Sequence, residues 1–598
     1  MRPVTLTHVV HCRAARAEVW THVSNTVRLN RAVRASPLTV EENPSRGLER
    51  FRVRGVLGGF DVTYLERPFA WESGQFFSFY RAVLTGPARA IAARYDFADR
   101  PDGAGCDVTV RVDATPRFSV LRPLIWLATR RTIASLEKYI LSVDEESRPP
   151  AASHADMSSL QAARARIRSR HAPELVARLV EHVEAGDDLD LAPIRPFALA
   201  SEWSVDRNAL LRLCLEAVPA GMLELRWGLL CPSCRTASQV LPSLRDLDGK
   251  GHCHACDIRY DTDLDRAVEA QFFPHPSVRR VETRPYCIGG PALTPHVVAQ
   301  LPLDADSEGT IHAPTTLGRV RLFVRGGATA LIDVIQDAPT SASVGIHAAE
   351  LRPAYLTIAP HGTLQVVNRS GEARHAKLEQ TEWMSHAATA HHVATMPEFR
   401  SLFGAEALRP GLALKVSNVA ILFSDLCGST ALYSRIGDAP AFGIVTDCLA
   451  YGIEIVERRG GAVVKTIGDA VMAAFVDGRA AVEAGVEMLA RWEEFAAMRR
   501  GAASLDLKVG VYAGPCTIVT ANDAIDYFGQ TVNSAARVQH LAGPHEAVIA
   551  EALLEAVPPG NAVELVERFD AQVKGIDQPL RLARLRARAS VSRVAPRL

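Results

Sequence analysis

Six side chains in the last third of the chain are of the types that metal-assisted chemistry on a nucleotide phosphate requires. Two carboxylates can hold a pair of divalent cations, a lysine and an aspartate can read the edge of a purine, and an asparagine with an arginine can steady a phosphoryl group. In chain order they are Asp425, Lys465, Asp469, Asp526, Asn533 and Arg537. None of them alone would indicate this chemistry, but the combination does.

The two carboxylates suited to metal binding are predicted to meet at the rim of one sheet. The apolar run Val419–Ser424 predicts a central strand that delivers Asp425 at its end. Residues 460–475 predict a hairpin with Gly468 and Asp469 at its turn. If this hairpin pairs beside the strand, both carboxylates can hold two cations about 3.5–4 Å apart. Turn chemistry alone would explain one isolated aspartate, but here it would have to explain two.

The pair Lys465 and Asp526 is complementary to adenine. A lysine can donate to N1 of adenine and an aspartate can accept from its exocyclic amine, whereas guanine reverses this pattern and would leave mismatched polar groups. Lys465 also stands out because only seven of the 67 basic residues are lysine. Asn533 and Arg537 are four residues apart in a predicted helix, so they share one face of it.

Three motifs in this region resemble the class III nucleotidyl cyclase catalytic domain over residues 415–585. They read F-S-D-L-C-G-S-T, V-K-T-I-G-D and D-Y-F-G-Q-T-V-N-S-A-A-R, in the order of the family. The resemblance implies a ferredoxin-like fold and a homodimer whose active sites form between two chains. It also implies conversion of ATP to 3′,5′-cyclic AMP and pyrophosphate with two Mg²⁺ or Mn²⁺ ions per site.

The resemblance implies a role for each candidate residue. Asp425, Asp469 and the backbone of Leu426 would bind the metal ions, and Lys465 and Asp526 would bind the purine. Asn533 and Arg537 would stabilise the transition state, and Lys574 would contact the triphosphate. Ser534 and Val538 depart from the common residues, but both are packing positions. Two alternatives stay open: a guanylate cyclase, against which Lys465 and Asp526 argue, and a ligand-binding regulatory protein with an inert cyclase domain.

Four cysteines upstream have the spacing of a structural zinc site. Cys231, Cys234, Cys253 and Cys256 form C-x2-C-x18-C-x2-C, within a predicted zinc ribbon at 229–265. Four thiolates complete a tetrahedral shell and leave no position for a reactive water, so a bound Zn²⁺ would be structural.

The first 145 residues resemble the START-like, polyketide-cyclase-like helix-grip family. The resemblance rests on element order, with an early helix over Arg16–Leu29, several strands, a closing helix over about Val120–Leu141, and the first-helix residues Glu18, Val19 and Trp20. It implies a pocket for a hydrophobic small molecule. The alternative is a domain kept for packing or dimerisation.

The middle of the chain predicts several further modules. Residues 146–159 read as a linker, and 160–228 as a helical, winged-helix-like module for which a protein-interaction or spacer role is favoured over DNA binding. Residues 266–400 predict a β-sandwich, which resembles an uncharacterised segment found upstream of some bacterial cyclase domains. His375, His386, His391 and His392 at its end match no metal motif and are predicted to be solvated or on a helix surface. Residues 586–598 form a basic tail.

Bulk properties restrict the class of protein. With 598 residues the chain exceeds one domain, and its zero net charge does not favour nucleic acid or an anionic membrane as the main partner. No run approaches the roughly 18–20 uninterrupted apolar residues of a spanning helix. The N-terminus lacks a signal-peptide core, and the remaining seven cysteines are scattered, so we expect a cytoplasmic protein in a reducing compartment.

Overall fold

The computed structural model describes residues 2–588 with short gaps at 44–46, 102, 146–154, 168–170, 349, 382–386, 405, 500, 523, 558–562 and 577. Most of the predicted linker, His386 and the end of the basic tail lie outside the described residues. The described part is a mixed α/β chain of several modules.

The N-terminal region is an antiparallel sheet packed against one long helix. Its strands are β1 Val4–Cys12, β2 Thr39–Glu42, β3 Phe51–Leu57, β4 Phe60–Glu66, β5 Ala70–Glu72, β6 Phe76–Thr85, β7 Ala88–Asp99 and β8 Cys106–Pro116, and its helices are α1 Arg16–Val23, α2 Thr26–Ala32 and α3 Arg122–Leu141. Val108 and Val110 of β8 alternate inward and pack with Leu136 of α3. The single early helix that we predicted is two helices, because the Asn25 side chain caps the second.

The middle region combines helices with two small sheets. The elements are α4 Met157–Arg166, α5 Pro173–Ala185, α6 Asp188–Leu191, α7 Pro196–Trp203, α8 Arg207–Ala217, β9 Leu223–Leu230, β10 Ala237–Leu241, β11 Lys250–Cys253, β12 Ile258–Asp261 and β13 Val268–Pro274. Strands β10, β9 and β13 form one sheet, and β11 and β12 form a hairpin. Because β13 pairs with β9 along its length, residues 268–274 pack with this module rather than with the β-rich region to which we assigned them.

The next strands form two packed sheets, one of which continues the N-terminal sheet. They are β14 Val297–Leu303, β15 Glu308–His312, β16 Gly318–Val324, β17 Thr329–Val334, β18 Ser341–Ile346, β19 Leu351–Arg352, β20 Tyr355–Ile358, β21 Thr363–Asn368 and β22 Arg374–Gln380. One sheet has the order β14-β22-β16-β17-β20 and the other β15-β21-β18-β19. Pairing of Trp71 on β5 with Gln300 on β14 joins the first of these to the N-terminal strands in one 13-stranded sheet.

The prediction that the histidines near residue 390 are solvated is wrong for two of them. His375 on β22 is 5% exposed and His391 is 2% exposed, on a short helix α9 Ala390–Ala394 that is followed by α10 Pro397–Leu402. Burial lowers the pKa of His375 to about 3 and that of His391 to about 4, so both rings are neutral near pH 7. His391 lies beside the apolar contact between modules, whereas His375 lies near Lys377 and Arg325, and sequence periodicity reports neither environment.

The C-terminal domain is a twisted sheet with helices on both faces. Its elements are β23 Leu414–Cys427, α11 Ser429–Ile436, α12 Asp438–Arg458, β24 Ala462–Ile467, β25 Ala470–Phe475, α13 Gly478–Ala490, α14 Trp492–Met498, β26 Asp506–Ala521, β27 Ala524–Phe528, α15 Gln530–His540, β28 Glu546–Ala550, β29 Val563–Ala571 and β30 Leu580–Ala587. The strand order is β24-β25-β23-β26-β28-β30-β29, with β27 also paired to β26. Ala420 and Leu422 pack towards α12 and α13, whereas Ile421 and Phe423 pack towards α15 and the upstream helices.

One helix among the described residues, Asp438–Arg458, is long and apolar enough to cross a membrane by length and composition alone. Sequence inspection did not single it out. Its residues Val445, Cys448 and Val456 pack in the core of the C-terminal domain, and a single helix of this kind is weak evidence for a span.

Candidate active site

Asp425 and Asp469 lie at the rim where β23 meets the β24–β25 hairpin. The predicted hairpin is confirmed, with Gly468 and Asp469 between the paired residues Ile467 and Ala470. Gly468 has φ +64°, which glycine adopts without strain. Ser424 pairs with Val471, so the next residue, Asp425, lies beside this turn. Strand β23 continues to Cys427, so Asp425 is inside the strand rather than at its end.

The rim concentrates negative charge around Cys427. The pKa of its thiol is raised, first by burial and then by the carboxylates of Asp425, Asp506 and Asp469, while Lys508 acts in the opposite direction. Three carboxylates and the ammonium group of Lys508 therefore surround this position. A pair of aspartates at such a rim can supply oxygen ligands to divalent metal ions.

Two side chains orient the Asp425 carboxylate. Lys508 on β26 is the cross-strand partner of Asp425, and its Nζ lies 2.9 Å from Oδ2. Gln539 on α15 donates from Nε2 to the same oxygen at 3.2 Å. Sequence reasoning missed both residues, because their proximity depends on strand register. The only available signal was that Lys508 is one of seven lysines in an arginine-rich chain.

Lys465 and Asp526 form an ion pair between β24 and β27. Lys465 Nζ lies 2.6 Å from Asp526 Oδ2, with exposed side-chain fractions of 39% and 9%. Asp526 Oδ1 accepts from the backbone N–H of Tyr527 at 2.8 Å, which fixes the carboxylate. The lysine also lies over the Phe528 ring, 5.5 Å from its centroid. A cationic donor and a carboxylate acceptor therefore stand side by side at a partly open position.

Asn533 and Arg537 are on α15, one turn apart, with Asn533 exposed and Arg537 half-buried. The Arg537 guanidinium lies against Gly575. A Cβ atom at position 575 would be 3.7 Å from Nη2 of Arg537. Lys574 is exposed next to Gly575. The structure thus brings Arg537 and Lys574 to one region of the surface. Within the described residues, no hydrogen bond or ion pair joins the Lys465–Asp526 pair to the Asp425–Asp469 rim.

The four spaced cysteines converge at one buried point. Their Sγ atoms all lie within 4.8 Å of one another, and Cys234 and Cys253 are 3.7 Å apart. Lys377 of β22 is 4% exposed, and its Nζ lies 3.4 Å from Cys256 Sγ. This donor set fits a tetrahedral Zn²⁺, and the ammonium can offset part of the thiolate charge.

Two family models match the chain. A family described as "Adenylate and Guanylate cyclase catalytic domain" matches residues 413–583. A family of unknown function, DUF5939, matches residues 157–286, which are the helical and four-cysteine segments. This match ends at residue 286 and so overlaps only the start of the β-rich region 266–400, for which we predicted a resemblance to an uncharacterised segment.

Curated relatives match about a quarter to a third of the chain. An uncharacterised protein of Mycobacterium tuberculosis is 32% identical over 158 residues, which are 26% of this chain and 38% of that protein. A protein of Anabaena cylindrica described as adenylate cyclase is 26% identical over 200 residues, covering 31% of this chain and 39% of that protein. The chain thus spans less than two-fifths of these relatives. A solved structure of the guanylyl cyclase Cya2 is 20% identical with a TM-score of 0.27 and covers 30% of this chain and 96% of that one.

Proposed function

We propose that the protein is an adenylate cyclase, because its C-terminal domain is a class III adenylate and guanylate cyclase catalytic domain. The reaction would convert ATP to 3′,5′-cyclic AMP and pyrophosphate. The observation that carries this choice is the Lys465–Asp526 pair, 2.6 Å apart. Its donor and acceptor complement the N1 and exocyclic amine of adenine and oppose the corresponding groups of guanine.

The rim residues would hold the divalent ions. Asp425, Asp469 and the backbone carbonyl of Leu426 supply hard oxygen ligands, which suit Mg²⁺ or Mn²⁺. Two such ions, when bound, would activate the ribose 3′-hydroxyl and neutralise the phosphates. Lys508 and Gln539 hold Asp425 ready for this role through their contacts with Oδ2.

The remaining residues would act on the ribose and phosphates. Asn533 can orient the ribose with its amide, and Arg537 can neutralise charge on the α-phosphate as the 3′-oxygen attacks. Lys574, beside the loop that Arg537 touches, can contact the triphosphate. Pyrophosphate leaves as the bond between the α-phosphorus and the oxygen that bridges to the β-phosphate breaks.

A homodimer would complete each site. Because the rim and the Lys465–Asp526 pair are separate groups within one chain, each needs a second group to make a full nucleotide site. Two chains related by a twofold axis can supply the rim from one subunit and the other four residues from its partner. The exposed apolar side chains of Ile467 and Phe528, beside the two groups, support a covering surface there.

The upstream modules would be regulatory or structural. The four cysteines would bind one structural Zn²⁺.

The N-terminal sheet and α3, which we propose form a START-like helix-grip domain, enclose a cavity of about 120 Å³ with a mostly apolar lining that includes Tyr95, Ile125 and Leu136. A small hydrophobic molecule there would alter the alignment of the catalytic halves. An unchanged basal rate, ligand response and oligomeric state after deletion of residues 1–145 would refute this regulatory role.

A reducing compartment such as the cytoplasm fits the cysteines. None of the eleven cysteines, all of which lie in the described part of the chain, forms a disulfide. Retention of activity in millimolar reduced glutathione, with loss under oxidising conditions, is the expected result. Full activity only after oxidation would contradict this proposal.

Exchanging the purine-binding pair tests substrate choice. The purified wild-type protein is expected to make cyclic AMP from ATP and little cyclic GMP from GTP. The double substitution Lys465→Glu and Asp526→Asn places an acceptor and a donor where guanine needs them, so the ratio of ATP to GTP turnover should fall by at least tenfold. Cyclic GMP as the main wild-type product would contradict the assignment to ATP.

A further inference from the structure

The segment between the β-sandwich and the C-terminal domain is packed between two modules. Helices α9 and α10 share one hydrophobic core with the helical module on one side and with strands β23, β25, β26 and β27 on the other. Phe399 of α10 is 1% exposed, and its ring meets that of Trp227 edge-on at a centroid distance of 5.9 Å. Trp227 is on β9, which ends at Leu230, directly before Cys231. The strand that leads into the four-cysteine module therefore contacts α10, which packs against the catalytic sheet.

Arg400 of α10 joins this segment to strand β27. Its Nη1 donates to the carbonyl oxygen of Ile525 at 3.2 Å, and its Nε donates to the carbonyl oxygen of Ala394 at 3.1 Å. The guanidinium therefore bridges the end of α9 to the strand. The Tyr527 ring, 1% exposed, also lies against this segment, 6.1 Å from the ring of His391.

The alternation of β27 connects this anchor to purine recognition. Ile525 and Tyr527 point to the upstream helices, so the residue between them, Asp526, points to the opposite face, where it meets Lys465. Helix α10 also contacts β24, the strand that carries Lys465. The same short segment thus supports both strands of the pair from behind. A small shift of β27 would change the distance between the two charged groups.

We propose that Arg400 is a positioning residue for purine recognition, through which the modules upstream of the catalytic domain set the geometry of Lys465 and Asp526. Arg400 lies outside residues 413–583, so the family match does not include it. Only the kinetic test of this proposal rests on the proposed cyclase function. Its structural test, the protection of β27 from hydrogen exchange, does not depend on turnover.

Arg400→Met in the full-length protein tests the proposal, because methionine keeps the apolar stem and removes the donors. The KM for ATP should rise about three- to tenfold, which is the factor expected for loss of a hydrogen bond. The change in kcat should be smaller, and the preference for ATP over GTP should fall. Peptides covering residues 524–528 should exchange amide hydrogens faster. Arg400→Lys, which keeps one donor, should restore part of both effects.

Arg409→Met is the matched control. Arg409 lies in the same connecting segment, but its side chain is 52% exposed and pairs with Asp248 at 2.9 Å. Unchanged KM and exchange in Arg400→Met, or equal changes in Arg409→Met, would overturn the proposal. If the wild-type protein makes no cyclic nucleotide, the proposed function fails while the exchange comparison still decides the role of Arg400. If Arg400→Met does not fold, Arg400→Gln and Arg400→Lys carry the same comparison.

Discussion

At the scale of single residues, Asp425 is held by groups that a metal ion must share or displace. Lys508 and Gln539 both contact Oδ2 of Asp425, which lies in the strand beside the turn that carries Asp469. The side chains of Asp425 and Lys508 are each 19% exposed, so the ion pair is only partly screened by solvent. The protein therefore keeps the carboxylate oriented before any cation arrives, at the cost of competition from one ammonium group.

Replacing Lys508 tests this competition. In Lys508→Met the carboxylate keeps its Gln539 contact but loses the ammonium, so nucleotide-free Mn²⁺ should bind about fivefold more tightly, the factor for an ion pair of about 1 kcal/mol. Isothermal titration calorimetry measures this directly. Lys415→Met, at an exposed lysine on β23, the strand of Asp425, is the control and should change nothing. Unchanged or weaker Mn²⁺ binding in Lys508→Met would show that the ion pair does not compete with metal.

The buried histidine His391 makes stability depend on pH. Burial lowers its pKa to about 4 in the folded protein, below the value near 6.5 of an unfolded chain. The unfolded state therefore binds the proton more readily, and stability present above pH 6.5 is lost as the pH falls towards 4. For this residue alone, the free energy of unfolding should drop by about 1 kcal/mol between pH 7.5 and 5.5.

A comparison of Tm at pH 7.5 and 5.5 checks this value. The wild-type protein should lose more stability on acidification than His391→Leu, which has no proton to bind. His254→Leu serves as the control, because His254 is 51% exposed. An equal loss in wild type and His391→Leu would mean that His391 does not contribute to the acid sensitivity.

At the level of secondary-structure elements, hydrogen bonds join the four-cysteine module to the β-sandwich. Arg325, which follows β16, donates to the carbonyl oxygens of Ala255 and His254 at 3.2 Å each, and Ser233 donates to Glu379 of β22 at 2.6 Å. Lys377 of the same strand contacts Cys256. The two C-x2-C turns are therefore held by contacts with a neighbouring sheet as well as by any bound metal. A bound Zn²⁺ would stabilise the contact between the two modules.

Removing zinc should loosen this junction. We expect one Zn²⁺ per chain by mass spectrometry of the metal content, and a zinc chelator should lower the Tm and expose residues 223–274 to protease. Lys377→Met should weaken zinc retention, because the ammonium that offsets thiolate charge is lost. Lys250→Met, an exposed lysine on β11, is the control. Full zinc occupancy and an unchanged Tm in the chelated protein, or no zinc at all, would contradict the metal assignment.

Some elements could be predicted from sequence because their signals are local. The β24–β25 hairpin follows from Gly468–Asp469 between alternating apolar residues, and the convergence of the four cysteines follows from their spacing. Other features depend on contacts between distant segments. The contact of Lys508 with Asp425 requires the register of two strands 83 residues apart, and burial of His391 requires the docking of whole modules. No single-sequence pattern reports either of these.

At the scale of the whole molecule, the modules form a connected body rather than a string of domains. Pairing of β5 with β14 joins the N-terminal sheet to the β-sandwich, and one hydrophobic core joins the helical module to the catalytic sheet. Packed contacts therefore run from the N-terminal region to the catalytic domain.

Mixing two inactive variants tests the shared site. Asp425→Ala removes a rim ligand, and Asn533→Ala removes a group that the partner chain would supply. Each variant alone should be inactive, but an equal mixture should recover about a quarter of the wild-type rate, because half of the dimers are mixed and each has one intact site of two. No recovery after verified subunit exchange would contradict a site built between chains. Activity of either variant alone at the wild-type rate would remove that residue from the site.

We propose that this chain turns over ATP at the Asp425–Asp469 rim. Product formation by the full-length protein should be measured with ATP and with GTP, each with Mg²⁺ or Mn²⁺, beside Asp469→Asn. We expect cyclic AMP from ATP, at least a hundredfold less in the variant, and an unchanged Tm, because Asp469 lies in the turn of the hairpin. Equal cyclic AMP formation by the wild type and Asp469→Asn would contradict this proposal. It would also be contradicted if neither the full-length protein nor residues 405–598 alone formed product from either nucleotide.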